Sequence, residues 1–180
     1  MSQSFEIEIK SLLGSKESAD RLKKSLFKKD PSAVLAAQSK QLNHYFNTPK
    51  DLSKLQQAVL SLIPNDKHGA LQQIVADGKK VSIRTRETTV PGNGSTTLTI
   101  KDQKVLFIIK ASIGDDTSAN GVSRIEFETP VNKSLNELDA LLLSAGCTYQ
   151  AKWSREREEY KTGDTTMTID KNAGYGYLER

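Results

Sequence analysis

Six residues near the start of the chain, FEIEIK (5–10), set the tightest limit on its fold. Phe5, Ile7 and Ile9 alternate strictly with Glu6, Glu8 and Lys10. As a strand, the segment puts three apolar side chains on one face and three charges on the other. One such strand fits any antiparallel sheet with a wet face. The same pattern returns downstream. VSIRTRE sets Arg84 and Arg86 against Val81, Ile83 and Thr85, and RIEFE sets Arg124, Glu126 and Glu128 against Ile125 and Phe127. FIIKAS carries Lys110 in an apolar strand, SREREEY offers Arg155 and Arg157, MTID ends in Asp170, and Glu179 stands next to the end of the chain.

Two architectures accommodate these rows. One is a large open antiparallel sheet, with helices under its apolar face and water over the other. The second is a closed barrel of about eight strands with charged side chains inside and helices outside, since interior and exterior positions alternate along every barrel strand. Solvated faces usually draw on Thr, Ser, Gln and Lys, as TTLTI (96–100) does here. Rows of Arg-x-Arg and Glu-x-Glu on separate strands point instead to convergence, and favour the α+β barrel. Its interior must be wet, because an unpaired buried charge costs several kcal/mol.

The remaining segments supply the helices. SKESADRLKKSLFKKD places Ala19, Leu22, Leu26 and Phe27 at helical spacing behind Ser15 as a cap. DLSKLQQAVLSLIP reads as a helix on Leu52, Leu55, Val59 and Leu62, stopped at Pro64, and ALQQIVAD continues the helical region to a turn at Gly78. SLNELDALLLSAG has Leu135, Leu138, Leu141 and Leu142 on one side and Gly146 at its end. Strands are expected at KQLNHYFNTP, TTLTI, KVLFIIKAS, CTYQAKWSREREEY, TTMTID and YGYLE. With 180 residues and no linker, repeat or low-complexity stretch, the chain reads as a single domain over 1–180.

Composition narrows the functional classes. A net charge of +4 suits an anionic partner without naming one. A lone cysteine, Cys147, excludes an internal disulfide and reads as a packed thiol. No apolar run approaches membrane-spanning length, and the N-terminus lacks the apolar core of a signal peptide, so a cytoplasmic protein is expected. His44 and His68 have no ligand-spaced Asp or Cys, and a structural role for His44 is the better reading. PGNGS is not followed by a helix with Lys-Ser/Thr, so it reads as a hairpin turn, not a P-loop.

The charge inventory points to a ligand. Seven cations (Lys10, Arg84, Arg86, Lys110, Arg124, Arg155, Arg157) could clamp a polyanion, Arg forks matching phosphate oxygens. The carboxylates would repel that polyanion unless a divalent ion stood between, as Mg²⁺ or Mn²⁺ does when held by a few carboxylates plus substrate phosphates. A pure nucleic-acid groove needs no Glu-x-Glu rows, so no nucleic-acid partner is expected, an RNA 5′-triphosphate being the one left open.

Taken in order, these residues resemble the CYTH superfamily, the triphosphate tunnel metalloenzymes, which include class IV adenylate cyclases and thiamine, inorganic and RNA triphosphatases. The N-terminal ExExK is matched by Glu6, Glu8 and Lys10. The RxR strand is similar to Arg84 and Arg86, the lysine strand to Lys110, and the acidic strand to Arg124, Glu126 and Glu128. The late basic strand is similar to Arg155, Arg157 and Tyr160, and QLNHYFNTP to the family's second strand. Asp170 stands where the family has an acidic metal-binding or water-positioning residue. Where the family ends in an acidic pair, this chain supplies Glu179 alone, and Lys152 adds a third cation to the late strand.

The resemblance implies an eight-stranded antiparallel tunnel binding a small-molecule triphosphate and Mg²⁺ or Mn²⁺, in a monomer or homodimer. Glu6, Glu8, Glu126, Glu128, Asp170 and Glu179 would hold metal, and Glu6, Glu8 and Asp170 would serve catalysis. Hydrolysis of a small triphosphate is the first expectation and class IV adenylate cyclase the second. A non-catalytic triphosphate or polyphosphate binder is the third.

Overall fold

The computed structural model describes residues 9, 11–91, 100–112, 124–173 and 176–179. The chain is α+β: its strands pair antiparallel and four α-helices accompany them. It divides into two compact units. One comprises residues 1–41, 89–102 and 153–180, the other 42–88 and 103–152.

In order, the elements are β1 (Ser11–Leu12), α1 (Lys16–Lys29), β2 (Val34–Asn47), α2 (Leu52–Leu60) and α3 (His68–Asp77). Then come β3 (Lys79–Pro91), β4 (Ile100–Ser112), β5 (Arg124–Val131), α4 (Leu135–Ser144), β6 (Thr148–Thr162), β7 (Thr165–Asn172) and β8 (Gly176–Glu179). Helix α1 starts where the sequence places it, with the Ser15 hydroxyl accepting from the Ser18 amide at 3.1 Å. Glu17 in its first turn and Lys28 and Lys29 in its last complement the helix dipole. Helix α4 has a reciprocal capping box, Ser134 Oγ accepting from the Glu137 amide and Glu137 Oε2 accepting from the Ser134 amide at 2.8 Å. Hydrogen bonds from Ser134 hold the Glu137 carboxyl below its ordinary range. Gly146, just past α4, has φ +91, a conformation that glycine adopts without a Cβ clash.

Each unit has its own core. The unit containing α1 packs Ala19, Tyr160 and Ile169, flanked by Leu13, Leu22, Leu26 and Met167. The other unit has the larger core. There Leu55, Val59, Leu71, Ile74, Leu138 and Leu142 from α2, α3 and α4 meet Ile83, Phe107, Ile109 and Phe127 from the strands. Gly78, between α3 and β3, has no room for a side chain, since a Cβ there would lie 2.3 Å from the Ile74 carbonyl oxygen.

KVLFIIKAS was expected as a strand and lies within β4, Ile100–Ser112, while TTLTI falls outside the described residues except for Ile100. Near the start of β4, Gln103 Nε2 donates to Glu87 on β3 at 2.7 Å. The closed eight-stranded barrel is an expectation that is corrected. The hydrogen-bonded order is β1-β8-β7-β6-β2-β3-β4-β5, and among the described residues nothing joins β5 to β1, so the described strands form an open sheet. Six strands have eight residues or more, whereas β1 has two and β8 four. Both residues of β1 pair with β8, as Ser11 with Glu179 and Leu12 with Leu178. FEIEIK falls almost wholly outside the described residues.

Candidate functional site

In the unit formed by 42–88 and 103–152, β2, β3, β4 and β5 each present polar side chains to one face. The alternation that buries Ile83 and Thr85 turns Arg84 and Arg86 the other way. Neighbouring β2 meets them with Tyr45 and Asn43. Arg84 Nη1 donates to the Tyr45 hydroxyl at 3.0 Å, and its guanidinium carbon lies 5.5 Å from that ring's centroid. Arg86 Nε donates to Asn43 Oδ1 at 3.0 Å. Lys110 on β4 stands opposite Glu126 on β5 in the strand register, with Nζ 2.7 Å from Glu126 Oε2. Glu128, two residues along the same strand face, has Oε2 3.9 Å from Arg86 Nη1. Leu106 and Ile108 are buried yet stand apart from the helix-backed core, on the Lys110 side of β4 by alternation. Apolar neighbours limit water around the cations and strengthen their pull on an anion.

Three of the predicted cations and two of the predicted carboxylates therefore share one face of three consecutive strands. The acids remain accessible: the Glu126 and Glu128 side chains keep 47% and 40% of their exposure.

The second cluster belongs to the other unit. Asp170 on β7 is completely buried, and Arg157 grips it as a fork, Nε donating to Oδ1 and Nη2 to Oδ2, both at 2.7 Å. Arg155 Nη1 donates to the same Oδ2 at 2.9 Å, and Arg155 Nε donates to Gln41 Oε1 on β2 at 2.7 Å. Two guanidiniums on one carboxylate fix both planes, and Arg157 Nη1 also lies 4.0 Å from Glu159 Oε1. The structure thus brings Asp170 to its cations. Among the described residues, no three His, Cys, Asp or Glu side chains come together as a metal-binding group. Glu6, Glu8 and Lys10 lie outside the described residues, as do the side chains of Arg124 and Glu179. The backbones of these last two residues pair with Ser112 and with Ser11 and Ile169.

A third polar cluster was not anticipated. Asp139, on the buried side of α4, accepts from the Thr85 hydroxyl at 2.7 Å and the Tyr149 hydroxyl at 2.8 Å, and contacts His44 Nδ1 at 2.5 Å. Burial and the Asp139 carboxylate together push the Tyr149 phenol up to about 12. Lys152 lies over the Tyr149 ring, its Nζ 3.6 Å from the centroid. His44 is thus held within this buried network. The signal for Asp139 was present, since it lies four residues after Leu135 and one after Leu138, on the apolar stripe. The signal for Gln41, Asn43 and Tyr45 was the polar alternation of QLNHYFN.

Cys147 is packed in the helix-backed core, and burial pushes its thiol up to about 11 from an ordinary 9.0. Native protein at pH 8 should therefore resist a thiol-alkylating reagent that labels the urea-unfolded chain within minutes. Equal labelling of both would overturn the packed assignment. The sign of the linkage follows. Between about 9 and 11 the native thiol retains a proton that the unfolded chain has lost, so this group costs stability as pH rises through that window.

No protein-family model matches the chain, and no curated protein matches it. Solved structures do. The PH1819 protein of Pyrococcus horikoshii superposes with a TM-score of 0.55 at 16% identity, over 89% of this chain and 70% of that one. A Vibrio parahaemolyticus protein provisionally described as an adenylate cyclase gives 0.52 at 15%, over 99% of this chain and 75% of that one. Among the described residues, no helix is long and apolar enough to cross a membrane. At these identities the likeness is one of fold, and the chain is built like these two proteins.

Proposed function

We propose that the protein is a divalent-metal-dependent hydrolase of a small triphosphate, inorganic or organic. The observation that carries the reading is the shared face on which Arg84, Arg86 and Lys110 stand beside Glu126 and Glu128. Cations alone would serve any polyanion. Cations beside accessible carboxylates suit a phosphate chain accompanied by Mg²⁺ or Mn²⁺, which takes hard oxygen donors from a few acids and from the substrate. Glu126 and Glu128 fit that donor chemistry. When bound, the ion supplies charge neutralisation between carboxylate and phosphate oxygens.

Arg84 and Arg86 hold the phosphate chain, each pre-oriented by its partner on β2. Lys110 is released from Glu126 as the ligand arrives and offsets charge on the leaving phosphate. Arg155 and Arg157, fixed by Asp170, are assigned to phosphate oxygens through the sequence resemblance. So are Lys10 and Arg124. Glu6, Glu8, Asp170 and Glu179 enter as metal-binding candidates on the same ground, Glu6, Glu8 and Asp170 as catalytic ones. Catalysis of this kind is mainly positioning and electrostatics.

The cyclase reading is second, favoured by the fold shared with the Vibrio parahaemolyticus protein. There the ribose 3′-hydroxyl takes the place of water and attacks the α-phosphate of ATP, releasing pyrophosphate.

Product analysis decides between them. Purified protein is incubated with tripolyphosphate, ATP or thiamine triphosphate, each with Mg²⁺ or Mn²⁺. Metal-dependent phosphate release is the expected result. Cyclic AMP with pyrophosphate would replace the hydrolase with a cyclase, and tight binding without turnover would leave a binder.

A further inference from the structure

Asn43 is completely buried on β2, and its carboxamide is half used. Its Oδ1 accepts from Arg86 Nε, which fixes the amide's orientation and leaves Nδ2 as the other end. Nδ2 is buried with no hydrogen-bond partner among the described residues. Arg84 Nε, on β3, is in the same condition. Buried polar groups in folded proteins are overwhelmingly paired, so each exception needs a reason. Both orphans here are donors, on side chains that each pair across β2 and β3, Asn43 with Arg86 and Arg84 with Tyr45, and neither can be satisfied by another donor.

We propose that Asn43 is a ligand-binding residue, its Nδ2 donating to a phosphoryl oxygen of the bound triphosphate while its Oδ1 holds Arg86 in line. Arg84 Nε completes a pair of N–H donors reserved for the ligand. The class of ligand follows from the chemistry. A group that satisfies two orphan donors beside two guanidiniums must be rich in acceptors and negatively charged, which describes a phosphate chain and excludes a cation or a neutral donor. The inference rests on the triphosphate reading above and adds to it a neutral residue that reads the ligand directly.

A merely structural Asn43 would act only through Arg86, and a double-mutant cycle separates the two roles. Binding of inorganic tripolyphosphate is measured by calorimetry for the wild type, Asn43→Ala, Arg86→Met and the double variant, with circular dichroism confirming the fold of each. Asn43→Ser replaces Asn43→Ala if the latter does not fold. Loss of a hydrogen bond to a charged group should weaken binding roughly tenfold to a hundredfold. The expected result is that Asn43→Ala costs affinity in the Arg86→Met background as well. If it costs nothing there, Asn43 serves only to orient Arg86 and the inference is overturned, while the triphosphate reading stands. If wild-type protein binds no tripolyphosphate with or without Mg²⁺, both fall together.

Discussion

Replacing Arg86 with alanine is expected to cut metal-dependent tripolyphosphate turnover by roughly ten- to a thousand-fold. Arg86 is 9% exposed, oriented by Asn43, and stands within reach of Glu128. Such a cation needs no reorganisation when the phosphate chain arrives, which is the condition under which a fixed charge contributes most to a transition state. Arg86→Lys keeps the charge but gives up the planar fork, so a partial loss is expected. Lys24→Ala, on the exposed side of α1, is the control and should leave turnover within about twofold. Full activity in Arg86→Ala would remove the β3 arginines from the mechanism. Loss in the Lys24 control would show that overall charge, and not this face, governs the reaction.

The largest stability effect is expected at a residue that touches no ligand. Asp139→Ala leaves the Thr85 and Tyr149 hydroxyls and the His44 ring without their shared acceptor, at a site where Asp139, Thr85 and His44 are all buried. Removing one partner of a buried charged network typically costs about 3–5 kcal/mol. Urea denaturation should show the midpoint falling at unchanged slope. A loss under about 1 kcal/mol would mean that the network is solvated or readily replaced. A further consequence is geometric. His44 lies between Asn43 and Tyr45 on β2, and Thr85 between Arg84 and Arg86 on β3, so Asp139 grips the backs of the two strand segments whose fronts carry the proposed phosphate face. A one-residue slip between β2 and β3 would exchange those faces. The Asp139→Ala variant should therefore bind tripolyphosphate less tightly even under conditions where it remains folded.

Local pattern accounts for what could be read from the sequence. Period-2 alternation in VSIRTRE and RIEFE put Arg84, Arg86, Glu126 and Glu128 on a common face because side-chain direction in a strand is decided residue by residue. Ser15 and the spacing of Leu22 and Leu26 announced α1 for the same reason. What was not legible depends on partners distant in the chain. Whether β5 meets β1 is a matter of long-range pairing, and nothing within RIEFE or SLL records it. The grip of Arg155 and Arg157 on Asp170 was hidden likewise. The sequence marks all three as charged but does not say that the acid is spent on the bases. Asp139 was legible in principle, as a carboxylate on an apolar stripe, but periodicity alone does not distinguish a buried acid from a break in the stripe.

The order of the described strands puts a second demand on the acidic strand. Among the described residues β5 pairs with β4 alone, and an unpaired strand edge is the kind of surface on which a second copy of a chain can add a strand. Pro130, which has no backbone N–H, interrupts that edge near its end, and proline is at home in sheets only where a ladder bond is not required. Glu126 and Glu128 place two like charges along the remainder, and an identical strand arriving in register would meet its own carboxylates. The acids proposed to hold a metal ion would thus also guard such an edge against edge-to-edge growth. Neutralising both at once, as a screen for metal ligands would do, removes that protection together with the ligand, and aggregation would then be mistaken for a defect in binding.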